Sequence, residues 1–450
     1  MDGFPPMPAE IVRLISIEAV RVRGAKRAVR LRLVNRSWNR EVMEALFESG
    51  ISDSFGSLGP VFWPKHLMHK LRQRENLLSR PLRLIRRAAQ RVVAFRSGEP
   101  NYENHDAVQE YLWEICQLSE DCNVLGPCWP SIFEVPEQMD PIQDSDEDFK
   151  QTLLAAAAAT NDLALVRELL PLMQGCVHLI YGRDRQEPVL GFPLDIAAFQ
   201  GHVEMLRMLL GAIQDPVVLG DAYDDGIKLA CAGNQLNTLE LCLARAYENH
   251  WPDPVDLLEG TTSIPVFDAV FQACKDHLIL DRHYPWKPNP DKIGMRRQFL
   301  SDHFRLSTDY GHLAMVKHLV QLGAPARHIE RCDDNEFGFH TVVSYAATSG
   351  NAELLAYLLE NGTQIGSRSL EAASKHGNPD CVRILLEHGA NDNFKLGGAL
   401  LESVKGENES VLRLLLESVT PVDEDLRRQA LAFAGKEGLV SMTRVLEEYK

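Results

Sequence analysis

The chain of 450 residues lacks any long apolar run. Its longest Ala/Leu-rich stretch, 153–159, is far shorter than the roughly 20 residues that cross a bilayer. The first residues contain Asp2 and prolines at 5, 6 and 8, without the apolar segment of a secretory signal. The nine cysteines are scattered and odd in number, which indicates reduced thiols. We therefore expect a soluble protein of the cytosol or nucleus.

The sequence also lacks the short motifs of catalysis. It contains no G-x-S-x-G turn, Walker loop, dinucleotide fingerprint or H-E-x-x-H helix, so we expect no enzyme, no catalytic residue and no cofactor. The closest approach to a metal site is Cys116, Cys122 and Cys128 with His105. Five residues separate successive cysteines, whereas structural zinc sites use two to four. We expect buried free thiols there and no metal.

Positive charge is scarce after residue 100. Residues 1–100 carry 19 Lys+Arg against 9 Asp+Glu, while the remainder carries 28 against 54. An acidic surface disfavours nucleic acid and favours a basic or mixed protein partner. The arginines of 80–91 could form a nuclear-import or nucleic-acid patch, or pair with the acidic remainder of the chain, which we favour because no aromatic residues interleave with them.

A glycine, or once an asparagine, recurs with a leucine eight residues later. The pairs are Asn161/Leu169, Gly201/Leu209, Gly233/Leu241, Gly311/Leu319, Gly350/Leu358, Gly377/Leu385, Gly406/Leu414 and Gly438/Leu446. A small residue stands three positions before each turn residue: Ala158, Ala198, Ala230, Thr308, Ala347, Ser374, Ser403 and Gly435. A turn between antiparallel helices needs a positive φ, which glycine adopts readily and asparagine tolerates. The pattern predicts stacked helical hairpins.

The spacing of these turns is close to that of a known repeat. The interval of 78 residues between Gly233 and Gly311 equals two periods of 39, so one degenerate repeat is expected there. Residues 193–202, PLDIAAFQGH, resemble the ankyrin consensus, and 381–391 resemble its second helix. The resemblance covers about 150–450 and implies eight or nine repeats in an all-α-dominated solenoid with a few β-hairpin fingers. A generic α-solenoid is the alternative.

A second resemblance lies at the N-terminus. The segments 7–12, MPAEIV, and 31–38, LRLVNRSW, resemble the opening and closing motifs of the F-box, with Met7 in place of leucine and an Arg/Lys-rich middle. F-box modules bind the Skp-type subunit of cullin ubiquitin ligases through apolar residues. The resemblance implies adaptor-binding residues at Pro8, Ile11, Leu14, Ile15, Leu31, Val34 and Trp38.

These observations predict four regions. They are an F-box-like helical module at 3–50, a helical connecting region at 51–133, an acidic, proline-containing linker at 134–149, and the ankyrin-repeat array at 150–450. Within 51–133 we expect two helices between Pro64 and Phe95 and a third at 107–118. The acidic run 144–148 also fits an entry to the first repeat.

Long connections between repeats often form the binding face of an array. Three such connections, 171–192, about 280–298 and 325–341, carry aromatic residues of the type that dominates interfaces. The candidates are Tyr181, Phe192, Tyr284, Trp286, Phe337 and Phe339. Their rings could instead fill gaps between neighbouring loops.

The predicted function is protein binding. In the first hypothesis the chain is a substrate receptor of a Skp–cullin–F-box ubiquitin ligase, and the array holds the target. In the second it is an ankyrin scaffold whose N-terminal helices cap the stack. Both place the chain in the cytoplasm, the nucleus or both, without a membrane.

Overall fold

The computed structural model describes most of the chain. The described residues are 9–30, 36–50, 62–98, 105–118, 141–143, 145–173, 176–182, 188–245, 261–276, 295–324, 341–366, 368–390, 393–418 and 424–449. The chain divides into two compact units, Met1–Trp251 and Pro252–Lys450. This division falls within the predicted array, and the N-terminal region belongs to the same unit as the first repeats.

Each unit is an all-α solenoid. The first unit contains α1 (Ala9–Arg30), α2 (Arg36–Glu48), α3 (Trp63–Leu71), α4 (Arg80–Ser97), α5 (His105–Gln117), α6 (Glu147–Ala159), α7 (Leu163–Leu169), α8 (Pro193–Gln200), α9 (Val203–Ala212), α10 (Pro216–Ala232) and α11 (Leu236–Leu243). Short 3-10 helices occupy Glu75–Leu77, Leu170–Met173 and Val177–Leu179. No strand occurs among the described residues of either unit, so the expected β-hairpin fingers are not found there.

The second unit continues the pattern. It contains α12 (Ile264–Asp276), α13 (Met295–Asp309), α14 (Leu313–Gln321), α15 (Val342–Ser349), α16 (Ala352–Glu360), α17 (Ser369–His376), α18 (Pro379–Glu387), α19 (Asn393–Lys405), α20 (Glu409–Ser418), α21 (Glu424–Lys436) and α22 (Val440–Glu448). First helices α13, α15, α17, α19 and α21 pack in sequence, as do second helices α16, α18, α20 and α22. Helix α12, the degenerate repeat, is a single helix in the described chain.

The eight predicted turns all lie between the two helices of a hairpin. Asn161, Gly201, Gly311, Gly350, Gly377 and Gly438 have φ between 53° and 81°, as predicted. At the other two turns the positive φ falls one residue later, on Asn234 and Glu407. Gly233 has φ −77°, and it is glycine for a different reason, because an added Cβ would lie 1.9 Å from the Phe199 carbonyl oxygen.

The core follows the repeat positions. The small residue before each turn is buried in seven hairpins, and its hydroxyl, where present, bonds within its own helix, as Ser374 does to the Leu370 carbonyl at 2.8 Å. In the last hairpin Gly435 is exposed and Ala434 is buried instead. The residue five positions after the turn is fully buried in all but this hairpin, where Thr443 is half-buried. The shared apolar stripe therefore joins neighbouring hairpins.

Side-chain amides tie successive turns together in the second unit. The Nδ2 of Asn351 donates to the Gly311 carbonyl at 2.8 Å, and Asn378 donates to the Ala347 carbonyl at 2.9 Å. Asn408 donates to the Ser374 carbonyl at 2.9 Å. Each acceptor is a backbone carbonyl in the last turn of the preceding first helix or in the turn that follows it, so the amides link neighbouring hairpins directly.

The connecting region covers one end of the first stack. Helices α3, α4 and α5 form as predicted, with Ser79 accepting from the Leu82 N–H at the start of α4. Helix α4 packs on α6, the first helix of the first hairpin, and α5 also contacts α6. Residues 147–149 belong to α6, so the predicted linker is shorter at its C-terminal end and its acidic run enters the first repeat.

Candidate protein-binding surfaces

One face of the N-terminal helix α1 packs against α2. Ser16 and Val20 are fully buried, and Val20 packs with Ala45, Leu46 and Phe47 of α2. The Arg13 guanidinium also donates to the Glu48 carboxylate at 2.7 Å. These contacts fix which face of α1 points into the unit.

The opposite face of α1 exposes several apolar side chains, with the charged Glu18 among them. Ile11, Leu14, Ile15 and Val22 are 44%, 59%, 49% and 82% exposed. At about 100° per residue they lie on one stripe, opposite Ser16 and Val20. We call these four residues the α1 strip. Because a solvated helix normally carries polar residues on its outer face, such a strip marks an interaction surface.

The other predicted adaptor residues are placed as follows. Ile11, Leu14 and Ile15 belong to the α1 strip, and Val22 extends it beyond the residues that the sequence motif indicated. Pro8, Leu31 and Val34 lie outside the described residues, and Trp38 lies in α2 with a side chain that is not described. The Arg/Lys-rich middle of the F-box-like motif lies largely within α1, which is continuous from Ala9 to Arg30.

The aromatic residues of the first long connection turn inward. Tyr181 is 4% exposed, and its hydroxyl donates to the Asp225 carboxylate at 2.5 Å. Phe192 is half-buried, with its ring centroid 6.2 Å from that of Tyr181. The burial of Tyr181 agrees with the alternative that these rings fill gaps between neighbouring segments. The remaining candidates, Tyr284, Trp286, Phe337 and Phe339, lie outside the described residues.

The arginines of α4 pair with the acidic start of the array. Arg80 lies 3.1 Å from the Asp148 carboxylate, and Arg96 lies 2.9 Å from that of Asp162. Arg87 stands over the Phe149 ring at 5.2 Å. The alternative that arginines of 80–91 pair with the acidic remainder of the chain is therefore confirmed for Arg80, and Arg96, which lies beyond that segment, pairs in the same way.

The residues considered for a metal do not suit one in the described chain. Cys116 is buried, and burial raises the pKa of its thiol far above the ordinary value, which disfavours the thiolate that binds zinc. His66 is fully buried beside Phe47. Burial lowers the pKa of His69, although Glu44 at 3.3 Å opposes the effect. Cys122 and Cys128 lie outside the described residues.

His202, like His312 in a later hairpin, occupies a turn position that asparagine occupies elsewhere. His202 follows Gly201 as Asn351 follows Gly350, and its Nε2 lies 3.4 Å from the Ala159 carbonyl of the preceding hairpin. Burial lowers the pKa of His202 below 6.5, while this backbone contact acts in the opposite direction. The unfolded chain therefore binds a proton on this residue at a higher pH than the folded chain does.

We expect the free energy of unfolding to fall as the pH is lowered from 6.5 toward the depressed pKa of His202. The variant His202→Asn should reduce this dependence without abolishing it, because it removes one titrating group and supplies an amide donor, while His69 and His312, whose pKa values burial also lowers, remain. Urea unfolding at pH 7.5 and pH 5.5 measures the change, with His388→Gln, at an exposed histidine, as the control. Equal pH slopes for His202→Asn and the wild type would contradict the assignment.

Comparison with known families agrees with the geometry of the second unit. A family model of ankyrin repeats matches residues 304–395 in three copies. Residues 304–395 are ankyrin repeats. The matched residues run from the second half of α13 through hairpins α15–α16 and α17–α18 to the start of α19. No curated protein matches the chain.

The ankyrin repeats set the coarse function of the chain. Ankyrin stacks bury their apolar stripe between neighbours and present extended surfaces to other proteins. The chain is therefore a protein–protein interaction module, built on a family that is typically non-enzymatic. No helix of the described residues has the length and apolar character that crossing a bilayer requires.

Proposed function

We propose that this chain is a substrate-receptor subunit of a Skp–cullin–F-box type ubiquitin ligase in the cytoplasm or nucleus. The α1 strip binds the Skp-type adaptor, and the ankyrin repeats bind the target. The chain itself transfers no ubiquitin. The observation that carries the proposal is the α1 strip, since it combines the residues of the F-box-like motif with exposure to solvent.

The distribution of exposed apolar residues supports this role for α1. Ten large apolar side chains are exposed among the described residues, and four of them form the α1 strip. The other six are dispersed as Leu77, Trp113, Leu172, Val217, Tyr310 and Val440. Burying apolar surface contributes roughly 25 cal/mol per Å², so four neighbouring side chains on one stripe favour docking to an apolar groove.

The packing of the connecting region also supports it. An N-terminal cap on the first stack needs a helix against α6, and α4 and α5 supply that contact. In the scaffold alternative the N-terminal helices would form this cap. Because α4 and α5 cover α6, the exposed side of α1 is not needed for the stack and is suited to another protein.

The target-binding part of the proposal rests on the array. Its net acidic composition favours a basic or mixed protein surface over nucleic acid. Tyr284, Trp286, Phe337 and Phe339 stay candidate contact residues on the long connections. The ankyrin scaffold with no ligase partner is the second candidate function, and the repeats at 304–395 alone are sufficient for it.

The decisive experiment replaces the α1 strip. We expect Leu14→Ser with Ile15→Ser to reduce recovery of the Skp-type adaptor and cullin at least about 10-fold, because both side chains are replaced in the centre of the docking face. The measurement is affinity purification of the full chain from cells with quantitative mass spectrometry. Circular dichroism checks folding, which should be unchanged since both side chains are exposed.

The matched control replaces exposed apolar residues elsewhere. Val217 and Val440 are 74% and 71% exposed, and Val217→Ser with Val440→Ser should leave recovery of the adaptor unchanged. If wild-type protein recovers no adaptor or cullin, or if both double variants recover them equally, the ligase role is rejected and the scaffold function remains.

A further inference from the structure

A cysteine, a histidine and a glutamate converge beside the first hairpin of the array. One ligand atom from each of Glu147, Cys176 and His178 lies within 4.8 Å of the other two. The Nε2 of His178 lies 3.5 Å from a carboxylate oxygen of Glu147. This cluster is separate from the α1 strip and from the cysteines at 116–128 that the sequence brought into consideration.

The local structure holds the three side chains in place. Glu147 begins α6, while Cys176 precedes the 3-10 helix Val177–Leu179, which packs against α6. The Leu179 N–H donates to the Cys176 carbonyl at 2.9 Å. Leu179, with Ile180 and Tyr181 after it, is buried. Rigid packing of the following residues therefore fixes the direction from which the Cys-x-His pair approaches Glu147.

We propose that Glu147, Cys176 and His178 bind a Zn²⁺ ion. Thiolate, imidazole and carboxylate are the three side-chain ligand types that zinc accepts, and a thiolate–imidazole set disfavours Mg²⁺ and Ca²⁺. Tetrahedral zinc with bonds of about 2.0–2.3 Å places its ligand atoms roughly 3.3–3.7 Å apart. The distance between His178 and Glu147 lies in that range.

The histidine supplies an independent indication of a ligand. The Nε2 of His178 is buried and has no hydrogen-bond partner, although a buried imidazole nitrogen usually has one. A bound cation would provide this nitrogen with a partner for its lone pair. The side chains of His178 and Glu147 remain 30% and 49% exposed, so an ion can enter and a water molecule can complete the coordination.

The ion joins a connecting segment to the array. Zinc ligands must be deprotonated, so binding releases the Cys176 thiol proton to solvent and requires a neutral His178. Because Glu147 and Cys176 are 29 residues apart, the bound ion closes a loop around α6 and α7 and stabilises the first hairpins by mass action.

Metal titration of the full chain tests the site. Metal-free protein is titrated with Zn²⁺ in competition with a chromophoric chelator, and with Co²⁺ followed by its thiolate charge-transfer and d–d absorption. We expect one equivalent of each ion, a thiolate band from cobalt, and a higher midpoint of thermal unfolding with zinc. Cys176→Ser, His178→Gln and Glu147→Gln should each weaken binding at least about 100-fold, since even outer-shell changes cost 10- to 100-fold.

Control variants separate this site from other thiols. His388→Gln, at an exposed histidine outside the cluster, should bind like the wild type, and so should the double variant Cys122→Ser with Cys128→Ser. If the cobalt–thiolate band persists in Cys176→Ser but disappears in the double variant, the metal binds elsewhere and the proposal is overturned. Failure of the wild type to bind zinc more tightly than Cys176→Ser overturns it equally. Glu147→Gln changes a half-exposed carboxylate and should leave the fold intact. Weaker metal binding by this variant therefore reports loss of a ligand and not loss of folding.

Discussion

Replacing Gly233 by alanine is expected to lower the free energy of unfolding by about 3 kcal/mol or more. The added Cβ would lie 1.9 Å from the carbonyl oxygen of Phe199 and 2.8 Å from its carbonyl carbon. Both are backbone atoms at the end of α8, so the clash is relieved only by shifting one hairpin against the next. Overpacking of a well-packed site costs about 1–3 kcal/mol and occasionally more. Because backbone atoms cannot move aside as a side chain can, we expect the cost of Gly233→Ala to lie at the upper end of this range.

A second glycine on the same helix is the control. Gly220 lies inside α10 and has no atom within 4 Å of an added Cβ. Gly220→Ala should raise the free energy of unfolding by about 0.5–1 kcal/mol, because alanine restricts the unfolded chain. Urea denaturation followed by circular dichroism compares the two. If Gly233→Ala is no more destabilising than Gly220→Ala, the close approach of the two hairpins is wrong.

Truncating Phe267 to alanine is expected to destabilise the second unit by about 3–5 kcal/mol. Phe267 is 1% exposed on α12, and its ring stacks on Phe271 at 5.7 Å and approaches Phe299 of α13 at 5.7 Å. Its edge also meets the rings of His303 and His318 at 5.6 and 6.0 Å. Removing the ring leaves a cavity between the single helix of the degenerate repeat and the first regular hairpin.

A conservative substitution at position 267 tests whether the cost comes from the lost packing volume or from any change of residue at this position. Phe267→Leu preserves most of the volume and should cost less than about 1.5 kcal/mol. Thermal and urea unfolding of both variants provides the comparison. If Phe267→Ala costs less than about 1.5 kcal/mol, α12 is not packed on α13 and α14.

The hairpins could be predicted because their determinants are local. Each turn residue, the small residue three positions before it and the leucine eight positions after it lie within twelve residues of one another, and local helix and turn geometry places each of them. The eight turns followed from that pattern. Helices α3, α4 and α5 were predicted for the same reason, since Pro64 and Pro81 lie in the first turns of α3 and α4.

What the sequence could not supply depends on distant contacts. The positive φ moves to Asn234 because Gly233 approaches Phe199, and Phe199 belongs to the preceding hairpin. Tyr181 is buried through Asp225, which lies 44 residues away. Helix α1 is continuous although Arg and Lys residues and Gly24 interrupt its apolar pattern, because the side facing α2 determines its packing.

The candidate sites also include one that a local motif indicates and one that only distant packing forms. The motif indicated Ile11, Leu14 and Ile15 correctly as residues of one helix, but their exposure depends on which face α2 covers. Glu147 does not belong to any local motif with Cys176 and His178. Only the packing of the 3-10 helix on α6 brings it to them, so ligand spacing in the sequence could not indicate this cluster.

The amide bonds between turns have a consequence for the length of the array. Asn378 contacts only the turn of the hairpin before it, just as Asn351 does. Excising 351–377 would join Asn378 to Gly350 and place its amide beside the turn of hairpin α13–α14, where the Asn351 amide now lies. Gene duplication or loss of whole units can thus lengthen or shorten the second unit while the connection between its neighbours stays the same.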